Sequence, residues 1–128
     1  MTALDLHNLG GAVLHQGDAR RAAACFAEGL VLSREVGSPY TIARNLAGMA
    51  GVAAAQGYPE RSARLFGAAE ALFDTVGIVV GAVDRAEYDR NLAIIRAQLD
   101  DATFAAAWAA GQALPLEQAI AEALQAAA

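Results

Sequence analysis

Apolar residues recur at helical spacing along most of this chain. Leu6, Leu9, Gly10 and Val13 share one face of a helix predicted over residues 3–16. Ala22, Phe26, Gly29, Ser33 and Val36 make a stripe on a second helix over 19–36, flanked by Cys25, Leu30 and Leu32. Ile42, Leu46, Met49 and Ala53 mark a third over 39–56. Ser62, Leu65, Phe66, Ala69, Leu72 and Phe73 mark a fourth over 59–76. Tyr88, Leu92, Ile95 and Leu99 fall on one face of a fifth helix reaching residue 99. Phe104 and Trp108 lie one turn apart on a sixth over 102–111, and Leu116, Ile120 and Leu124 recur on a seventh. The pattern predicts an all-α chain.

The punctuation agrees with the periodicity. Gly17, Gly37 and Gly57 stand where helices should stop, because glycine accepts the left-handed conformation that follows a helix. Asp18, Ser38 and Asp101 are placed to cap the helices that follow them, and Pro39 and Pro59 suit a first turn. Asp84 and Glu87 have capping-box spacing, which starts the fifth helix at Asp84. Residues 77–83 are apolar, β-branched and bounded by glycine; they are expected to be a loop whose Ile78 and Val80 cover the end of the core. Gly51 lies inside the third helix, where it costs about 1 kcal/mol relative to alanine, so close backbone packing is expected there.

The stretch 46–77 repeats 6–37 at a shift of 40 residues. Leu6 meets Leu46, Gly11 meets Gly51, Gln16-Gly17 meets Gln56-Gly57, Phe26 meets Phe66, and Val36-Gly37 meets Val76-Gly77. Such a period signals stacked supersecondary units. The chain therefore divides into a first unit over 3–37, a second over 38–77, and capping helices over 78–128, all in one domain. The first helix starts almost at the N-terminus with no cap before it, which predicts either upstream repeats or self-association through that face.

Composition changes the picture in three ways. Of the 128 residues 56% are hydrophobic, much of that alanine, so the core should be thin with large side chains at few sites. The net charge is -5 with nine scattered basic residues, which argues against direct binding of nucleic acid. No apolar run reaches membrane-spanning length, no secretory signal is present, and Cys25 has no second cysteine to pair with. A cytoplasmic chain without membrane contact is the expectation.

Leu6, Leu9-Gly10, Val13, Gly17-Asp18, Ala22, Phe26 and Gly29 in the first unit resemble the tetratricopeptide repeat. Leu46, Met49-Ala50, Ala53, Gly57, Ser62, Phe66 and Ala69 do so in the second. The first helices lack that family's tryptophan and tyrosine, and the period is longer than its own. A narrower resemblance covers nearly the whole chain: the runs 46–57, 64–72, 85–88 and 104–114 are similar to the C-terminal repeat region of LuxR-type and related ATP-dependent bacterial regulators. The resemblance implies a short solenoid of two helix-turn-helix repeats with a three-helix C-terminal cap. It further implies a regulatory arm, acting as a sensor or protein-interaction module. Neither a phosphate-binding loop nor a basic recognition helix occurs here.

No residue set suggests catalysis. His7 and His15 are eight positions apart, about 12 Å along a helix, too far to share a metal ion. Cys25, beside Phe26, fits a small core hydrophobe. Glu60, Glu70, Glu87 and Asp100-Asp101 fit capping and solvation, and Phe104 with Trp108 fits the core better than a stacking platform. No cofactor, metal site or catalytic residue is assigned. An enzyme would gain ground only if His7, His15 and Arg44 converged on a closed cavity.

The resemblance implies a concave face lined by the first helix of each unit. Leu4, His7, Gly11, Leu14 and His15 would come from one, and Arg44, Ala47, Gly51, Ala54 and Ala55 from the other. A face of small and apolar residues suits an amphipathic helix or extended peptide. Gly11 and Gly48 stand where the family's carboxylate-clamping asparagines would be, so capture of a peptide C-terminus is not expected. The expected occupant is a protein partner or a segment of the same chain; a second copy, forming a homodimer, and a small-molecule inducer are the competing occupants.

Overall fold

The computed structural model describes residues 1–77 and 82–127. Among the described residues there are seven α-helices and no strand: α1 (Ala3–His15), α2 (Ala19–Val36), α3 (Pro39–Ala55), α4 (Pro59–Val76), α5 (Ala82–Gln98), α6 (Asp101–Gln112) and α7 (Leu116–Ala127). The segment 78–81, with the expected core-covering Ile78 and Val80, lies outside the described residues, and residues 82 and 83 are helical.

The first four helices begin and end as their local chemistry dictates. Gly17, Gly37, Gly57 and Gly77 carry φ of 88°, 74°, 84° and 75°, values that a side chain would resist. They recur every 20 residues, once after each helix. Asp18 and Ser38 accept from the backbone N–H of Arg21 and Thr41, while Tyr58 precedes Pro59 without a side-chain cap. Thr2 and Asp5 form a reciprocal capping box on α1. With such short connections each helix folds back along the one before it: α1 packs on α2, α2 on α3, and α3 on α4.

The core is centred on α3. It touches α1, α2, α4, α5 and α7. Its residues from Met49 to Ala54 are buried without a break, which is more than one full turn. Small side chains permit this. The Phe26 ring of α2 lies against the backbones of both Gly10 on α1 and Gly48 on α3, where added Cβ atoms would strike it. The expected close approach at Gly51 is looser, since a Cβ there would meet only the Asn91 side chain at 3.3 Å and Leu14 at 3.5 Å. Buried hydroxyls take part in this packing: Ser62 Oγ on α4 donates to the Ala50 carbonyl of α3 at 2.7 Å, and Ser33 Oγ donates within α2 to the Gly29 carbonyl at 2.6 Å while accepting from Asn45 Nδ2 of α3 at 3.4 Å. Asn45, fully buried on α3, donates to the Thr41 carbonyl at 3.0 Å.

The last three helices differ from the expected end cap. Only α6 is devoted to α4: a Cβ on Gly67 would collide with the Trp108 carbonyl, and one on Gly111 with the Arg64 carbonyl. Gly111 is therefore a crossing point inside α6 rather than its stop, and the helix is capped by Asp100, not Asp101. Phe104 and Trp108 stack on each other at 5.7 Å, half-buried at the edge of the core. α7 spans α2, α3 and α4. It buries Ala119, Ile120 and Ala123, leaves Leu116 exposed, and is clipped to α4 by a two-pronged Arg64–Glu122 ion pair at 2.8 and 2.9 Å. α5 starts two residues before Asp84, so Asp84 lies in its first turn and does not cap it. Val36, expected on the core stripe of α2, is exposed at its C-terminal end.

The glycine crossing makes a signed prediction. Gly67→Ala and Gly111→Ala should each destabilise by about 1–3 kcal/mol, because two backbones must separate, although alanine is the better helix former. Gly11→Ala, whose Cβ would meet nothing within 4 Å, should stabilise by up to about 1 kcal/mol. Urea denaturation of the three variants measures this. By the same assay Ser62→Ala should lose about 1 kcal/mol, the value of one buried hydrogen bond whose acceptor also sits in a helix ladder.

Candidate functional site

Between α1, α3 and α5 lie two half-open spaces, a pocket and a cleft. The pocket is lined from α1 by His7, Gly11 and Leu14 and from α3 by Tyr40, Arg44, Ala47, Gly48 and Gly51. Its floor is aromatic, made by Phe26, Phe66 and Phe73, and its far wall is Glu87, Tyr88 and Asn91 of α5. The cavity measures about 80 Å³. The cleft continues from it along Leu14, His15, Gly51, Ala54 and Ala55, with Ile94 of α5 as the opposite rim.

Nine of the ten residues expected on the concave face thus line one or other of these spaces. The tenth, Leu4, is exposed and lines neither. His7, His15 and Arg44 do not all line one space. His7 and Arg44 share the pocket, whereas His15 lies in the cleft with its Nε2 2.9 Å from the Glu87 carboxylate. Among the described residues no group of three or more His, Cys, Asp and Glu side chains is placed to hold a metal ion. Cys25 is buried.

The α5 wall was not foreseen, and its residues carry most of the site's polar chemistry. Tyr88 is buried with its ring edge-on to Phe66, centroids 5.0 Å apart, and its hydroxyl donates to Glu70 at 2.7 Å. Burial, then the hydrogen bond to the Glu70 carboxylate, pushes the phenol well above the usual tyrosine range. Glu70 and Glu87, read from sequence as solvated, are therefore the anchors of α5: one holds Tyr88 to α4, the other bridges to α1. Arg44 lies over the Tyr40 ring at 5.5 Å, which fixes the guanidinium at the pocket wall. Tyr40 in turn meets Phe73 edge-on at 6.2 Å.

The raised Tyr88 pKa has a stability consequence of definite sign. The unfolded phenol ionises near pH ~10 and the folded one above that. The stabilisation is complete below about pH 10 and is lost as pH rises beyond it. Urea midpoints should therefore fall as pH is raised above about 10, and Tyr88→Phe should flatten that fall while lowering stability at neutral pH. Equal alkaline slopes in the two proteins would contradict the assignment.

Neither a family model, nor a curated protein, nor a solved structure matches the chain significantly.

Proposed function

We propose that this chain is a non-catalytic interaction and sensor module of a bacterial transcriptional regulator. In this reading α1–α4 are two stacked helix-turn-helix units of a short tetratricopeptide-like solenoid, of the kind found in LuxR-type regulators. The equivalent turns at Gly17 and Gly57, and at Gly37 and Gly77, support the two-unit reading. The observation that carries the function is the cleft itself. Small residues of α3, Gly51, Ala54 and Ala55, together with Leu14 and His15 of α1, face Ile94 of α5, which is 48% exposed, across a trough open to solvent. A trough floored by alanine and glycine and rimmed by an exposed isoleucine fits the apolar edge of a partner helix.

Own-chain α5 is the first occupant of the concave face, and it leaves the cleft for a second one. The protein partner would dock beside α5, and partner binding and α5 seating would be coupled through the His15–Glu87 bridge. A second reading, a small-molecule sensor, is favoured by the aromatic-floored pocket between α1, α3 and α5.

The cleft is tested by selecting helical peptides from a displayed library against the chain and counter-measuring them on Ala55→Trp. Ala55 is exposed, so a tryptophan there fills the cleft without entering the core. Selected peptides should lose about tenfold or more in affinity while circular dichroism is unchanged. Peptides that bind the filled cleft as well as the open one would refute the reading.

A further inference from the structure

The residues of the candidate site recur at the spacing of the internal repeat. α3, Pro39–Ala55, moved forward by 40 positions falls on 79–95, and α5 is Ala82–Gln98. Gly11 of α1 and Gly51 of α3 are equivalent under that shift. The next position in the series is Asn91 of α5, and all three line the pocket. Leu14, Ala54 and Ile94 form a second series, and all three line the cleft. The helices meet in the same order, α1 on α3 and α3 on α5. Side chains from equivalent positions gather along one surface when successive units are stacked in the same orientation. The aromatic packing repeats as well. Phe26 of α2 lies against Gly48 of α3, and their equivalents, Phe66 of α4 and Tyr88 of α5, form a ring pair with centroids 5.0 Å apart. Tyr88 puts a ring where the earlier pair has bare backbone, which holds α5 farther from α4 than α3 is from α2.

We infer that α5 is the first helix of a third unit, and that the cleft is one row of a surface built from three equivalent helices. This rests on the cleft half of the proposed function and names what the partner presents there. Across the row the side chains run large, small, large: Leu14, Ala54, Ile94. Ile94 is half-exposed, whereas Ala54 is buried. The one carboxylate among the described residues that line the cleft, Glu87, is engaged by His15 at 2.9 Å. A charge brought into this row would lose water and find no open partner of opposite sign. The occupant is a partner helix that crosses α1, α3 and α5, sets one large apolar side chain on Ala54 between Leu14 and Ile94, and carries no charge on that edge. Because the row takes one side chain from each helix, losing Ile94 weakens the partner as losing Leu14 does.

The test titrates the whole chain, nitrogen-labelled, with hydrocarbon-stapled helices of about 15 residues while amide correlations are followed. The helices are built of alanine and glutamine and carry leucine, glutamate or lysine at the central position. The leucine helix should shift the amides of Leu14, Ala54 and Ile94 together, and the glutamate and lysine helices should bind about tenfold or more weakly. Ile94→Ala and Leu14→Ala should each weaken the leucine helix by about fivefold or more, whereas Leu4→Ala, exposed on α1 and outside the row, should leave it unchanged. Ile94 is half-exposed, so its variant keeps the test readable even where Leu14→Ala disturbs folding. Equal binding of the charged helices would overturn the uncharged edge. Binding indifferent to Ile94→Ala would overturn the three-helix row, and if Ala55→Trp still blocked the selected peptides the cleft itself would stand. No shift with the leucine helix would overturn the inference outright.

Discussion

The crowding of five helices around α3, with Met49 to Ala54 buried in unbroken sequence, is the constraint from which the rest of the molecule follows. A helix with a wet face can tolerate large residues toward its core, because neighbours close on it from one direction only. α3 is met by α1, α2, α4, α5 and α7, and five neighbours fit only if the central helix is narrow. That explains Gly48, Ala50, Gly51, Ala53 and Ala54 in one helix, and the choice of Phe26 and Phe66 to fill the corners between layers. It also explains the buried hydroxyls. Ser62 makes its hydrogen bond to a carbonyl of α3 because two helices this close bring a side-chain donor within reach of the neighbour's backbone.

The candidate site is a by-product of the same narrowness. Where Gly11 of α1 faces Gly48 and Gly51 of α3, small residues leave more room than the two helices can close. α5 covers that gap in part, and the uncovered remainder is the cleft along Ala54 and Ala55. Among the described residues α5 is held there by the Tyr88–Glu70 hydrogen bond, the His15–Glu87 bridge, the Phe66–Tyr88 ring pair and buried Ile95. α6 is the contrast. Its crossing with α4 at Gly67 and Gly111 brings backbone against backbone, so it cannot move without breaking the layer. Among the described residues α6 thus meets α4 backbone to backbone, whereas α5 is seated on α1, α3 and α4 through side chains.

The fold class and most helix boundaries were legible because α1–α4 end at glycines whose chemistry is local. Gly17, Gly37, Gly57 and Gly77 need no tertiary knowledge to be read as stops, and Asp18 and Ser38 need none to be read as caps. Nine of the ten residues expected to share one face line the pocket or the cleft, since helical spacing fixes which positions lie together. What was not legible depended on a partner helix. Periodicity marked Tyr88 and Ile95 as an apolar stripe but did not say that the stripe would lie against α3 and α4 and close a pocket. Gly67 carried no local signal at all, because its meaning lies in Gly111, 44 residues away. Leu116 was misplaced because alanines, not leucines, mark the buried face of α7, and alanine gives a hydrophobic pattern little contrast in an alanine-rich chain.

Native-state hydrogen exchange measures the central claim most directly, because it ranks helices by the free energy needed to open them. With α3 crowded by five neighbours and α5 seated through side chains, the amides of Ile42 to Ala54 should exchange only through global unfolding. Those of Tyr88 to Ile95 should exchange at a lower free energy that rises when Tyr88 and Glu70 are intact and falls in Tyr88→Phe. If α3 opens as readily as α5, or if α5 opens only with the whole molecule, then α3 is not the element on which the structure depends and α5 is not separable from it.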